Sequence, residues 1–156
     1  MIVAFRDRLA RLLGRHPPDM QVAALCLDEQ TGQVLLVTSR GTGRWIVPKG
    51  WPMAGRSLAE AAGQEAWEEA GVRGRIAQAE IGRYRYDKDQ DRGFAIPIEV
   101  RVFPLYVDRL EPQFPEAQER LRRWFAPDEA ARLVAETGLK QILRRLPAAA
   151  QRLPPA

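Results

Sequence analysis

At 156 residues, 46% of them hydrophobic and 28% charged, the chain is one ordinary domain able to bury a core, and no apolar run approaches the length of a membrane span. The single cysteine, Cys26, excludes a disulfide framework within the chain and points to a reducing, cytoplasmic setting; the single histidine, His16, excludes a multi-histidine metal site. A formal charge of +4, carried mainly by arginine, favours anionic partners and phosphates above all, and any metal must be held by oxygen, which suits Mg²⁺ or Mn²⁺.

The segment from Met1 to Arg15 is rich in arginine, and Phe5, Leu9, Leu12 and Leu13 share one helical stripe. A transit peptide has this composition, but the reading adopted is a short amphipathic helix packed on the domain or on a partner. The absence of a small-residue cleavage site argues against a secretory signal. Residues 1–18 are therefore assigned to this helix and a linker, Gly14 to Asp19 being a break, residues 19–146 to the domain, and residues 147–156, rich in proline and alanine, to a flexible tail.

Within the domain, Gln21–Leu27 and Gln33–Thr38 are apolar runs on either side of Asp28–Gly32, the pattern of a β-hairpin. Arg40–Gly43 is a loop, Arg44–Val47 a short buried strand stopped by Pro48, and Lys49–Arg56 a second loop. Ser57 with Glu60 three residues on is a capping box that starts a helix, and Gly71 stands where a left-handed cap would end it. Strands are expected over Ala79–Tyr86 and Phe94–Val107 with a polar turn at Asp87–Gly93, then a short strand at Arg122–Phe125. Helices are expected from Pro127 through Val134 and from Leu139 to Leu146. Strands and helices mix without βαβ alternation, so the fold class is α+β with a mixed sheet.

Glu65, Glu68 and Glu69 fall on one face of the central helix, in the arc that Leu58, Ala61 and Ala62 also occupy; Glu60, Gly63 and Trp67 point the other way. Carboxylates that continue an inward stripe repel one another and are costly to desolvate. A divalent cation resolves both difficulties, and Mg²⁺ takes its remaining ligands from water and substrate phosphates. A solvated acidic face is the competing explanation of such a triplet. Trp67 is assigned to packing, under the N-terminal helix or in a homodimer.

With the loop from Pro48 to Gly55, this helix resembles the Nudix box, from Gly50 to Val72, with matching positions at Gly50, Glu65, Ala66, Glu68, Glu69, Gly71 and Val72. The preceding Arg44–Pro48 and the later Arg123–Phe125 followed by Pro127–Ala130 are also similar to the family, so the likeness covers about Met20 to Leu146. It implies a Nudix-type α/β/α sandwich and a Mg²⁺-dependent pyrophosphohydrolase (Mn²⁺ as a substitute). In that reading Glu65, Glu69 and a main-chain carbonyl at or beside Gly50 bind metal. Glu68 is a ligand or the base that takes a proton from the attacking water, with Glu116 and Glu119 as bases outside the box. From the residues themselves, Arg40, Arg44 and Lys49 either hold phosphates or are plain surface charge, and Trp51 either stacks on a base or anchors the loop. Two positions depart from the family. Arg56 stands where a glutamate is usual and Gln64 where an arginine is usual, and the expectation is that the brace between them is lost without stranding a charge, or that Arg56 turns to substrate phosphate.

Arg83, Arg85, Lys88 and Arg92, interleaved with Tyr84 and Tyr86, form either a nucleotide-gripping hairpin or a solvated one. The likeness is to the diadenosine and diphosphoinositol polyphosphate branch of the family. Asp19–Met20–Gln21 replace the basic cluster that branch carries before its first strand. Dinucleoside polyphosphates and nucleoside-diphosphate derivatives are therefore expected ahead of inositol pyrophosphates. A silent nucleotide-binding module is a rival reading. An RNA-binding or RNA-end-processing role is another, set low because the arginines form no basic tract, and no membrane partner is expected.

Overall fold

The computed structural model describes residues 19–89 and 95–150. The amphipathic helix read over Met1–Arg15, the centre of the turn that holds Arg92, and residues 151–156 lie outside it. The elements run β1 (Asp19–Leu27), β2 (Val34–Thr38), β3 (Trp45–Ile46), β4 (Lys49–Gly50), α1 (Leu58–Ala70), β5 (Val72–Ile76), β6 (Gly82–Asp89), β7 (Ala95–Leu110), β8 (Arg122–Phe125), α2 (Pro127–Leu133) and α3 (Thr137–Ala150).

The strands form one mixed sheet with the path β3-β2-β1-β7-β5, joined by β4 on β1, β6 on β7 and β8 on β2. β1 and β7 run parallel from Asp19↔Ile98 to Leu27↔Tyr106, while the other pairs are antiparallel. β1 reads as a continuous apolar run because both of its faces are covered. Ala23, Leu25 and Leu27 pack with Val134, Leu139, Leu143 and Leu146 under α2 and α3. Val22, Ala24 and Cys26 pack with Ala59, Ala61, Ala62, Ala66 and Ala70 of α1. Side chains alternate across a strand, so one run of residues builds two cores, and the result is an α/β/α sandwich.

The β1–β2 hairpin, the strand at Arg122 and the helix boundaries at Ser57 and Gly71 match the sequence reading. Five readings need correction. The break placed over Gly14–Asp19 gives way to β1 at Asp19, because β7 offers a pairing partner there. The loop read over Lys49–Arg56 begins as a strand, with Val22↔Gly50 and Ala23↔Lys49 paired and the Ala24 amide donating to the Pro48 carbonyl at 3.0 Å. The strand expected over Ala79–Tyr86 runs Gly82–Asp89 instead, set by its ladder with β7. No element is expected over Val72–Ile76, where β5 forms. Only Val72 in it is fully buried, so it carries no apolar signal, and pairing to the long β7 makes it a strand. At the other end of the chain, α3 continues to Ala150, into the stretch read as tail.

Both ends of α1 are capped. The Ser57 hydroxyl oxygen accepts from the Glu60 amide at 3.1 Å, the first half of a capping box. At the far end Gly71 takes φ 65°, and Arg122 Nη1 donates to the Ala70 and Glu111 carbonyls, both at 2.7 Å. The last turn of α1 has no basic residue of its own, and Arg122 supplies that charge from β8.

Candidate active site

The buried stripe of α1 contains Ala59, Ala61, Ala62, Ala66, Glu69 and Ala70. It is centred further round the helix than Leu58, Ala61 and Ala62 suggested, so the three glutamates sit at different depths. Glu69 is inside, and Glu65 and Glu68 are part-exposed on one flank.

Both oxygens of Glu69 are engaged. Oε2 accepts from the Lys49 amide at 3.0 Å, which ties the helix to β4 across 20 residues of sequence. Oε1 accepts from Arg120 Nη2 at 3.1 Å. The same nitrogen donates to Glu116 Oε1 at 3.1 Å, and Arg120 Nη1 donates to the Thr38 carbonyl at 2.9 Å. Burial pushes Glu69 up to about 7 against the opposing pull of Arg120 and Lys49. Burial, then the neighbouring carboxylates of Glu69, Glu68 and Glu116, push Glu65 up to about 7 as well.

Glu65 lies against the main chain of Gly50. A side chain at Gly50 would run into its carboxylate, with Oε2 only 2.8 Å from the added carbon. Gly50 has no left-handed backbone, so the need for glycine there is one of space.

Glu68 is oriented by a relay. Gln64 Nε2 donates to Glu68 Oε1 at 3.0 Å, and Arg56 Nη1 donates to Gln64 Oε1 at 3.0 Å. The expected loss of the Arg56–Gln64 brace is thus overturned. An amide can accept from the guanidinium on one side and donate to the carboxylate on the other, so the loop stays braced to the helix with the charges redistributed. Arg56 is exposed, and its Nη1 is held by Gln64.

The cationic residues have distinct surroundings. Arg40 is exposed and lies 3.4 Å from both Glu116 and Glu119, so its charge is shared with acids. Arg44 Nε donates to the Thr42 hydroxyl oxygen at 3.2 Å, on the turn before β3. The Lys49 Nζ lies 5.5 Å from the centre of the Tyr86 ring, and burial lowers its pKa. Trp51 is 46% exposed, and Lys88 Nζ stands 5.3 Å from its ring centre, so the β6 strand and the β4 loop meet here. Of the basic residues on β6, Arg83 and Arg85 are paired with Glu80 and Glu99. Tyr84 is core, and Tyr86 donates to Gln21 Oε1 at 2.7 Å. Trp67 packs under Arg73, whose guanidinium lies 3.6 Å from its ring centre.

Among the described residues no group of three His, Cys, Asp or Glu side chains forms a ready metal cage. The donors present still fit Mg²⁺, which needs only one or two carboxylates besides water and phosphate. Glu65 and Glu69 supply hard oxygens beside the Lys49–Gly50 main chain, and the Gly50 cradle that a Cβ would fill leaves room for the Glu65 carboxylate. Sequence reasoning missed Arg120. It sits in a run of charged residues before β8 and nothing local marks it, whereas the fold sets it beside a carboxylate 51 residues away.

The family model of the NUDIX domain matches residues 17–146, and the chain belongs to the Nudix family. It is 32% identical over 117 residues to Nudix hydrolase 4 of Arabidopsis thaliana, covering 75% of this chain and 55% of that protein, so the chain spans about half that relative's length. It is 28% identical over 137 residues to the human diphosphoinositol polyphosphate phosphohydrolase NUDT4B, covering 85% of this chain and 72% of that one. Among solved structures, the Ap4A hydrolase of C. elegans superposes with a TM-score of 0.60 at 18% identity, covering 85% of this chain and 98% of that one, a likeness of fold. No helix among the described residues is long and apolar enough to cross a membrane.

Proposed function

We propose that the protein is a Mg²⁺-dependent pyrophosphohydrolase that cleaves a phosphoanhydride bond in a dinucleoside polyphosphate or nucleoside-diphosphate-linked substrate by direct attack of water. The observation that carries this is the pair Glu65 and Glu69, drawn against the Lys49–Gly50 main chain, each pushed to about 7 chiefly by burial, with Glu69 adding to the push on Glu65 and Glu116 to that on Glu69. Carboxylates so placed are poised to exchange protons for a cation.

Glu65, Glu69 and the main-chain carbonyl at or beside Gly50 would hold the ion, Mn²⁺ serving in place of Mg²⁺. When bound, the ion supplies neutralisation of phosphate charge and a more acidic water. Glu68, held by Gln64, is the group assigned to take the proton from the attacking water. Glu116 is the second choice, since Arg120 and Arg40 already share it. Lys49, Arg44 and Arg40 are the phosphate-holding cations, and Trp51 is the stacking surface, with Lys88 beside it. Among the described residues there is no histidine and no exposed cysteine to form a covalent intermediate. His16 lies outside the described residues, and Cys26 is buried with its thiol pushed up to about 12. That buried thiol also suits a reducing compartment such as the cytoplasm.

A diphosphoinositol polyphosphate is the second reading, favoured by the relative of that name. Against it, the start of β1 offers Gln21 as a buried acceptor for Tyr86, where a very anionic ring would call for positive charge. The test is hydrolysis of diadenosine polyphosphates, diphosphoinositol polyphosphates, nucleotide sugars and capped RNA, each with and without Mg²⁺, in ¹⁸O-labelled water. The expected result is a higher kcat/KM for the diadenosine compounds and one label on one product phosphate. Preference for the inositol pyrophosphate overturns the ranking. No turnover of any pyrophosphate overturns the enzyme reading in favour of a silent nucleotide-binding module.

A further inference from the structure

We propose that Arg120 is the resident counter-ion of Glu69, and that its guanidinium and a divalent cation compete for the same carboxylate oxygen. This rests on the assignment of Glu69 as a metal-binding residue.

The guanidinium is buried, with its side chain 6% exposed and that of Glu69 8%. Its two outer nitrogens make three contacts. Nη2 forks between Glu69 Oε1 and Glu116 Oε1, each at 3.1 Å, and Nη1 holds the Thr38 carbonyl at 2.9 Å. The third nitrogen, Nε, is buried with no partner among the described groups. Glu69 Oε2 is already taken by the Lys49 amide at 3.0 Å. Oε1 is the oxygen that no main-chain donor holds and the one assigned here to a cation, and Arg120 sits on it.

A divalent ion bound at Oε1 would stand at contact distance from a guanidinium, and at low dielectric that repulsion is severe. Arg120 does not have to leave the site to relieve it. Glu116 and the Thr38 carbonyl are partners it already holds, and Arg40, 3.4 Å from Glu116, can give up its share of that carboxylate to solvent because it is exposed. The guanidinium can thus shift its weight from Glu69 to Glu116. Until a metal binds, the charge of Glu69 is compensated inside the protein, and metal affinity is lowered by the contact that must be given up.

Arg120 acts through Glu69, so it is a positioning residue, and the readout is metal binding. Mn²⁺ affinity is measured by calorimetry on the full chain for wild type, Arg120→Met and Glu69→Gln. The expected result is binding about ten-fold tighter in Arg120→Met, the scale of one charge-assisted hydrogen bond no longer opposed, and large weakening in Glu69→Gln. Should Arg120→Met fail to fold, the wild type answers alone. In ¹⁵N-arginine spectra the Arg120 side-chain resonance is expected to move on Mg²⁺ titration, with Arg120→Lys identifying it by its loss. Metal binding that depends on Glu69 but is no tighter in Arg120→Met, or that leaves the Arg120 resonance in place, overturns the competition and spares the metal assignment. Wild-type protein that binds no Mn²⁺, or binding indifferent to Glu69→Gln, overturns both.

Discussion

Gly50→Ala isolates the placement of one carboxylate from the stability of the fold. The added Cβ would lie 2.8 Å from Glu65 Oε2 and closer still to Oε1 and the carboxyl carbon. Ordinary contact requires about 3.5 Å, so the carboxylate must withdraw by roughly 1 Å. The backbone does not resist the change, because Gly50 has no positive φ and sits in a strand paired with Val22. The obstructing atoms are the end of a flexible side chain, which can swing aside at little cost. Alanine also restricts the unfolded chain, which returns about 0.4–1 kcal/mol. Net stability should therefore change by less than about 1 kcal/mol. Turnover should fall steeply, because misplacing a reacting group by about 1 Å costs on the order of 100-fold, or about 2.7 kcal/mol in the barrier. The assay pairs kcat/KM for a diadenosine polyphosphate with the urea midpoint. Gly55→Ala is the control with the opposite pattern: its φ of 76° strains any side chain, by about 1–2 kcal/mol, although no atom lies within 4 Å. Gly50→Ala with unchanged turnover, or with a loss that merely follows unfolding, refutes the reasoning.

Four further outcomes are expected. Gln64→Leu should lower kcat roughly ten-fold with KM little changed, since Glu68 loses its donor; Glu60→Gln on the exposed face should leave turnover intact while Glu65→Gln and Glu69→Gln abolish the response to Mg²⁺, and equal losses at Glu60 and Glu69 would reduce the helix to a folding role. Glu65 and Glu69 hold protons in the metal-free fold up to about 7, against an ordinary value of 4.5. Their contribution to metal-free stability is thus full below about 4.5 and lost as pH rises through 7, and since Mg²⁺ displaces those protons, its upward shift of Tm should be larger at pH 8 than at pH 6; an equal shift at both would refute the coupling. Cys26, buried and pushed up to about 12, should resist iodoacetamide in the native protein and react only on unfolding, and rapid native labelling would contradict the packing of β1 against α1.

The sequence by itself determined what depends on neighbours along the chain. The capping serine and left-handed glycine bracket α1, the hairpin residues between two apolar runs set β1 against β2, and helical spacing puts Glu65, Glu68 and Glu69 on one side. These features follow from local dihedral preferences and periodicity, which a linear pattern records. Tertiary structure decided the rest. Which glutamate goes inside was set by how α1 lies on the sheet, centred on Ala62 and Ala66, and this chose Glu69. Lys49–Gly50 became a strand because β1 extends past β2, and Val72–Ile76 became one because β7 is long enough to pair with β6 over its first half and β5 over its second. The Arg56–Gln64–Glu68 relay replaced an expected loss because an amide's two ends can serve a cation and a carboxylate at once. Arg120 had no local signature because its role belongs to Glu69 and Thr38, residues 51 and 82 positions away in the chain. A charge is legible in a sequence as a residue type, but the partner that gives it a task is supplied only when the fold closes that distance and removes the water between them.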